Sequence, residues 1–202
     1  MKKYSQRDEQ EYVLQIAGKL PASESHRFLD IGAWNPFCFS NTRALFELGW
    51  RGLCIEPSPG PVRELVKEYG VETSNVEVLS AAMGCEAGLI RIPVTDDAVS
   101  GNAGAQWKDN GGFYGWLTVP VLTIPDILHR YGNFQMVSID TEGTSVPLFL
   151  SLLQTQMRPA CIVVEHDSRI VEIMSAAQEA GYTSRYISEE NVVLEFTSRE
   201  TR

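Results

Sequence analysis

The chain has 202 residues, 44% hydrophobic and 21% charged, which suits one sizeable core in an ordinary globular protein. Its 17 Lys and Arg against 26 Asp and Glu leave a net charge of −9, which argues against a nucleic-acid partner, because such binding rests on several cationic contacts to phosphates. No apolar run approaches the roughly 20 residues of a membrane span, and the polar N-terminus does not enter a signal-peptide core, so one cytoplasmic domain over 1–202 is expected.

In chain order, the first pattern is a helical one. Tyr12, Val13, Ile16, Ala17 and Leu20 recur at three- and four-residue spacing, which predicts an amphipathic helix within a helical segment 1–24 that Pro21 ends. A strand follows at 27–31. The next helix begins at Ser40 or Asn41, both good N-caps, with Ala44, Leu45 and Leu48 on its inner face and Gly49 as its stop. Strand 52–55, a helix from Pro59 or Pro61 to Tyr69, and strand 76–79 make a further unit. Residues 88–94 read as a strand, whereas 95–116, rich in glycine and aromatics, read as a lid or acceptor-binding loop. Beyond it come strand 117–121, helix 123–131, strand 135–139, helix 145–155, strand 160–165, helix 169–180 and an antiparallel hairpin of 184–188 with 192–196. Strands alternating with helices predict an α/β fold with a doubly wound, mostly parallel sheet. Cys38, Cys54, Cys85 and Cys161 are scattered and form no CxxC pair, which reads as buried, reduced thiols.

The most informative segments are Phe28-Leu29-Asp30-Ile31-Gly32-Ala33 and Leu53-Cys54-Ile55-Glu56-Pro57. Each is an apolar run ending in an acid, and Glu56 follows Asp30 by 26 positions, the spacing of two parallel strands joined by a crossover helix. Gly32 and Ala33 let the backbone turn off the first strand, and Glu56, next to Pro57, can accept both hydroxyls of a ribose. A dinucleotide site would need glycines where Trp34 and Phe37 stand, and no lysine is close enough to neutralise a pyrophosphate. S-adenosylmethionine carries no phosphate and fits better, with Asp30 receiving its ammonium directly or through water.

Ligands of open α/β sheets sit beyond the carboxyl ends of the strands. That rule adds Ala81 and Ala82, small enough to flank an adenine, and Ser40 and Asn41, which cap a helix and can bond the methionine carboxylate. Asp140 and Glu142 follow Met136-Val137-Ser138-Ile139, and Glu165-His166-Asp167 end the neighbouring strand. Asp140, Glu165 and His166 are candidate ligands for Mg2+ or Mn2+, by analogy with catechol-type methyltransferases. Without a metal, the same acids would orient the acceptor and His166 would be the general base, with Asp140 and Glu142 as catalytic partners.

The runs DIGAWNPFCFSNT (30–42), LGWRGLCIEPSP (48–59) and SIDTEG (138–143) resemble the FkbM-type methyltransferases, a branch of the class I S-adenosylmethionine-dependent enzymes. YSQ with Glu9, AAMG at 81–84 and DDAVSG at 96–101 are similar to the same pattern. The resemblance implies a Rossmann-like, seven-stranded sheet closed by a hairpin, S-adenosylmethionine as methyl donor, and methyl transfer to a hydroxyl of a sugar, polyketide or other small molecule. Alternatives are an amine acceptor, a degenerate fold serving as a cofactor- or partner-binding module, and, disfavoured by the missing glycines, a nicotinamide oxidoreductase.

Overall fold

A computed structural model of the chain describes residues 2–22, 25–70, 75–95 and 113–197. Its elements run α1 (Glu9–Ala17), β1 (Arg27–Ile31), α2 (Arg43–Glu47), β2 (Arg51–Ile55), α3 (Pro59–Tyr69), β3 (Val76–Leu79), β4 (Ala82–Met83), β5 (Gly88–Thr95) and β6 (Phe113–Leu122). There follow α4 (Ile124–Tyr131), β7 (Met136–Ile139), α5 (Ser145–Gln154), β8 (Cys161–Glu165), α6 (Ile170–Glu179), β9 (Tyr182–Ile187) and β10 (Asn191–Phe196). Seven strands form one sheet in the order β3-β2-β1-β7-β8-β10-β9. All neighbours are parallel except β10, which runs antiparallel to both β8 and β9. The expected doubly wound sheet with a closing hairpin is therefore present.

The pleat assigns alternate residues to opposite faces, so each central strand feeds two cores. Leu29, Ile31, Leu53, Ile55, Val137, Ile139, Ile162 and Val164 pack against α4, α5 and α6 through residues such as Ile127, Phe149 and Ile173. On the other face, Phe28, Cys54, Met136 and Val163 meet α1, α2 and α3 through Val13, Ile16, Leu45, Leu65 and Tyr69. Because β1 and β7 are central and neighbours on the sheet, the chain order reverses between them, and their carboxyl ends open a crevice.

Several elements differ from the sequence expectation. The first helix covers only Glu9–Ala17 of the 1–24 segment. Helix α2 starts at Arg43, because the Ser40 hydroxyl accepts the amides of Thr42 and Arg43 and folds the preceding residues into a turn. Being only five residues long, it ends before Leu48, which is 54% exposed. A second, three-stranded sheet, β4-β6-β5, was not foreseen as a unit. Of the expected loop 95–116, residues 96–112 lie outside the described residues, while Thr95 and 113–116 belong to the antiparallel arms β5 and β6. All four cysteines are free; Cys54 and Cys161 are buried as expected, but Cys38 and Cys85 are exposed.

Gly52, at the start of β2, is required by its neighbour. A Cβ there would lie 2.2 Å from the ring of the fully buried Phe28. Gly52→Ala is expected to cost about 1–3 kcal/mol through overpacking, read as a fall in thermal midpoint of roughly 2–4 °C per kcal/mol for a chain of this size. Combining it with Phe28→Leu should recover part of that loss relative to the two single changes added.

Candidate active site

The crevice between β1 and β7 is closed into a cavity of about 400 Å³. At its floor β1 turns away at Gly32, whose φ of +80° is natural only for glycine. A Cβ at Gly32 would come within 1.7 Å of the Asp140 carbonyl oxygen, so side-chain-free backbone is what lets the two strand tips meet. The turn is fixed by the amides of Gly32 and Ala33 donating to the Ile55 carbonyl at 2.9 and 3.2 Å, and by Asp140 N donating to Ile31 O at 2.9 Å.

Asp30, the last acid of β1, is 5% exposed. Its carboxylate accepts the Thr42 hydroxyl at 2.5 Å, tying β1 to the turn before α2, and Ser138 is its register partner on β7. Burial raises its pKa to about 6, and the Glu56 charge adds to the rise, although the Thr42 and Ser138 hydroxyls beside it oppose it. Ser40, Asn41 and Thr42 are likewise buried, and Asn41 Nδ2 donates to Ser138 Oγ at 3.3 Å.

Glu56, at the tip of β2, is held in place by backbone. Its Oε2 accepts Trp34 N at 3.1 Å and its Oε1 accepts Ser58 N at 2.8 Å, which leaves one lone pair per oxygen for a ligand. Burial raises its pKa against those same bonds. Trp34 takes a φ of +37° to donate that amide and stacks on Phe39, itself at φ +59°. Asn35 Oδ1 caps the amides of Phe37 and Cys38. The small sheet supplies an apolar wall through Met83, Ile90 and Ile92, with Ala81 and Ala82 beside it.

Across the cavity, the β7 and β8 tips carry acids. Glu165 Oε2 accepts Glu142 N at 3.1 Å and the Ser145 hydroxyl at 2.8 Å, and the turn reaches this geometry through Glu142 at φ +53° and Gly143 at φ +100°. One carboxylate oxygen from each of Asp140, Glu142 and Glu165 lies within 4.8 Å of the others, so these three could hold a divalent cation. Burial, and then the charges of Glu165 and Glu142, push the Asp140 carboxyl well above its ordinary range.

The structure gathers Asp30, Gly32, Ala33, Ser40, Asn41, Glu56, Pro57, Ala81, Ala82, Asp140, Glu142 and Glu165 around one cavity. His166 is placed differently: it is not among the lining residues, its Nδ1 accepts the Ser168 amide at 3.1 Å, and its Nε2 is buried without a hydrogen-bond partner among the described residues. In the three-carboxylate group, Glu142 occupies the place that the sequence suggested for His166, because its left-handed backbone conformation brings its carboxylate to Asp140 and Glu165. Three residues missed by sequence reasoning also belong here. Ser138 could have been found as the residue facing Asp30 across parallel strands. Gln6 and Glu190 reach the cavity from opposite ends of the chain; Ser40 N donates to Tyr4 O, while Arg7 pairs with Glu189 and Glu190.

Six carboxylates line the cavity, with no Lys, Arg or His among the described lining residues. Raised carboxyl pKa values link this burial to stability. A group lifted from 3.8 to about 6 contributes stability that is complete below 3.8 and is lost as pH rises through about 6. Lowering pH from 7.5 to 5.5 should therefore raise the melting temperature of the ligand-free protein, with Asp30 alone contributing about 1 kcal/mol. Asp30→Asn should flatten that dependence.

The fold has counterparts among solved structures. The chain superposes on the methyltransferase yhhF of Escherichia coli with a TM-score of 0.51 at 12% identity, covering 98% of this chain and 90% of that one. It also superposes on precorrin-6y C5,15-methyltransferase of Geobacter metallireducens, with a TM-score of 0.52 at 14% identity over 98% and 93% of the two chains. These identities speak to fold alone. No curated protein matches the sequence. Residues 30–184 match the family model described as the methyltransferase FkbM domain, a span that runs from Asp30 into β9 and holds most of the cavity's lining. The chain belongs to the FkbM methyltransferase family, which makes it an S-adenosylmethionine-dependent methyltransferase.

Proposed function

We propose that the protein transfers the methyl group of S-adenosylmethionine to a hydroxyl of a sugar, polyketide or other small molecule. One observation carries this reading: a single cavity joins a ribose-competent carboxylate, Glu56, to a group of acids that includes the raised Asp140 carboxyl. The cofactor's ribose would lie on Glu56, its adenine between Ala81 and Ala82 and the apolar wall, and its methionine end toward Asp30, Ser40 and Asn41. Such a pose places the methyl group near the β7 and β8 tips. The anionic lining favours a sulfonium cation and disfavours phosphate-bearing cofactors or acceptors.

In this reading Asp140 is the general base. A carboxylate whose pKa is pushed upward is a better proton acceptor for an alcohol than an ordinary one. The charges of Glu165 and Glu142 sustain its basicity. Asp140, Glu142 and Glu165 would also be the ligands of a Mg2+ or Mn2+ ion, which when bound would supply positive charge to an acceptor oxygen. His166, off the cavity wall, supports the strand end and does not take the proton.

Titration calorimetry tests the donor site. S-adenosylmethionine and S-adenosylhomocysteine should bind the wild-type protein in the micromolar range and NAD should not, while Glu56→Ala should weaken both sulfur compounds about 10- to 100-fold. Binding of NAD alone would overturn the methyl-donor assignment. With an acceptor in hand from a screen of alcohols and amines, Asp140→Asn should lower turnover about 10²- to 10⁴-fold, and His166→Ala should change it by no more than a few fold. Turnover confined to amine acceptors would replace the hydroxyl assignment.

A further inference from the structure

Part of the cavity lining is aromatic. Trp34 stacks on Phe39 with ring centroids 5.8 Å apart and an interplanar angle of 18°, and both residues line the cavity. Each holds a positive φ, +37° and +59°, in the region that bulky side chains avoid. Core packing does not offset that strain at Phe39, which is 54% exposed. The segment is nonetheless fixed: the Trp34 amide donates to Glu56 Oε2, Asn35 Oδ1 accepts the amides of Phe37 and Cys38, and the Ser40 amide donates to Tyr4 O at 3.1 Å. A stack of rings is thus held in place and presented to whatever occupies the cavity.

The lining at the β7 and β8 tips offers lone pairs instead. Ser145 gives its one hydroxyl proton to Glu165 Oε2 at 2.8 Å. The Thr141 hydroxyl, 3.1 Å from Ser145 Oγ, is therefore the donor in that contact, and the Thr144 hydroxyl donates in turn to Thr141 Oγ1 at 2.9 Å. Every hydroxyl proton of this chain is committed, so Thr144, an exposed residue of the cavity lining, has only lone pairs left for a ligand. Glu142, Glu165 and Glu190 line the same cavity, and ionised carboxylates accept hydrogen bonds without donating any. With no Lys, Arg or His among the described lining residues, a molecule seated here has to bring several donors and no negative charge.

Several donors around a ring with an apolar C–H face describe a sugar. C–H groups polarised by neighbouring oxygens lie well on the negative face of an aromatic ring, while the sugar's hydroxyls satisfy carboxylates. A largely apolar alcohol would match the rings but supply few donors, and an acyclic polyol would match the acids but not the rings. Resting on the methyl-transfer reading above, we infer that the methyl acceptor is a neutral pyranose, seated with its C–H face on the Trp34–Phe39 stack and its hydroxyls toward Thr144 and the carboxylates, so that these two aromatic side chains determine acceptor specificity. The donor does not compete for the stack, since its adenine is assigned to the wall at Ala81, Ala82 and Met83.

Saturation-transfer NMR tests this on protein loaded with S-adenosylhomocysteine, against a panel of methyl pyranosides of glucose, galactose, mannose, xylose, rhamnose and fucose. At least one should bind in the millimolar range or tighter, with transfer strongest at the C–H groups of one ring face. Cyclohexanol, a ring without the donors, and methyl glucuronide, a sugar ring with a carboxylate, should bind about tenfold or more weakly than that glycoside. Phe39→Leu should weaken the glycoside about 3- to 10-fold, and Phe39→Tyr should keep it within about twofold of wild type. Calorimetry should find S-adenosylhomocysteine affinity within about twofold of wild type in both variants. No glycoside binding to the loaded protein, cyclohexanol or the glucuronide binding as tightly as any glycoside, or a glycoside indifferent to Phe39→Leu would overturn the inference. A parallel loss of S-adenosylhomocysteine would overturn it as well, because the stack would then belong to the donor site. If the Phe39 variants do not fold, Trp34→Leu carries the test with the same outcomes. Wild-type protein that fails to bind S-adenosylhomocysteine would remove the methyl-donor reading itself, and this inference with it.

Discussion

Everything at this site depends on how closely two strand ends can approach. With 1.7 Å between a notional Gly32 Cβ and the Asp140 carbonyl, the β1 and β7 tips are as near as backbone permits. That contact sets Asp30 beside Ser138 and brings the acids after β7 into the cavity that begins after β1. A larger residue at 32 would separate the β1 side of the cavity from the acids that follow β7. A methyltransferase has to bring donor and acceptor together, and alignment of two reactants is worth up to roughly 7–11 kcal/mol of barrier.

The electrostatic design follows from burial more than from composition. The chain is acidic overall, yet the consequential charges are those the fold withdraws from water. Asp30 and Glu56 are nearly inaccessible and are held by hydroxyl and amide donors, without a lysine or arginine partner on either among the described residues. Donors of this kind keep a carboxylate ionisable without neutralising it, so its field remains available to a cationic ligand. Backbone strain collects at the same rim: Trp34, Phe39, Glu142, Asp167 and Ser168 all adopt positive φ without being glycine.

Much of this was legible because it is local. The run from Phe28 to Ala33 and that from Leu53 to Pro57 carry the strand, the turn and the terminal acid within a few residues, so spacing alone placed Asp30, Gly32 and Glu56. Long-range pairing was not legible. Strands at 88–94 and 117–121 could be read, but not that Ala82 and Met83 would pair with Val121 and Leu122 and turn the group into a separate wall. Nor does sequence reveal which side of a strand end a residue faces. His166 was attractive for its chemistry, whereas the left-handed turn at Glu142 decided which side chain joined Asp140 and Glu165. Leu48 failed for a simpler reason: its helical spacing was right, but the helix stopped one residue short.

Gln6 and Glu190 face the same cavity, and the neighbouring Arg7–Glu189 contact joins segments 182 positions apart in sequence. Contacts of such separation carry a larger loop-closure entropy than local ones. The strands from β3 to β8 carry most of the lining, and the final hairpin adds Glu190 to it. Pairing of β10 with β8 and β9 carries Glu190 to the cavity wall, so the closing hairpin serves the site as well as the sheet.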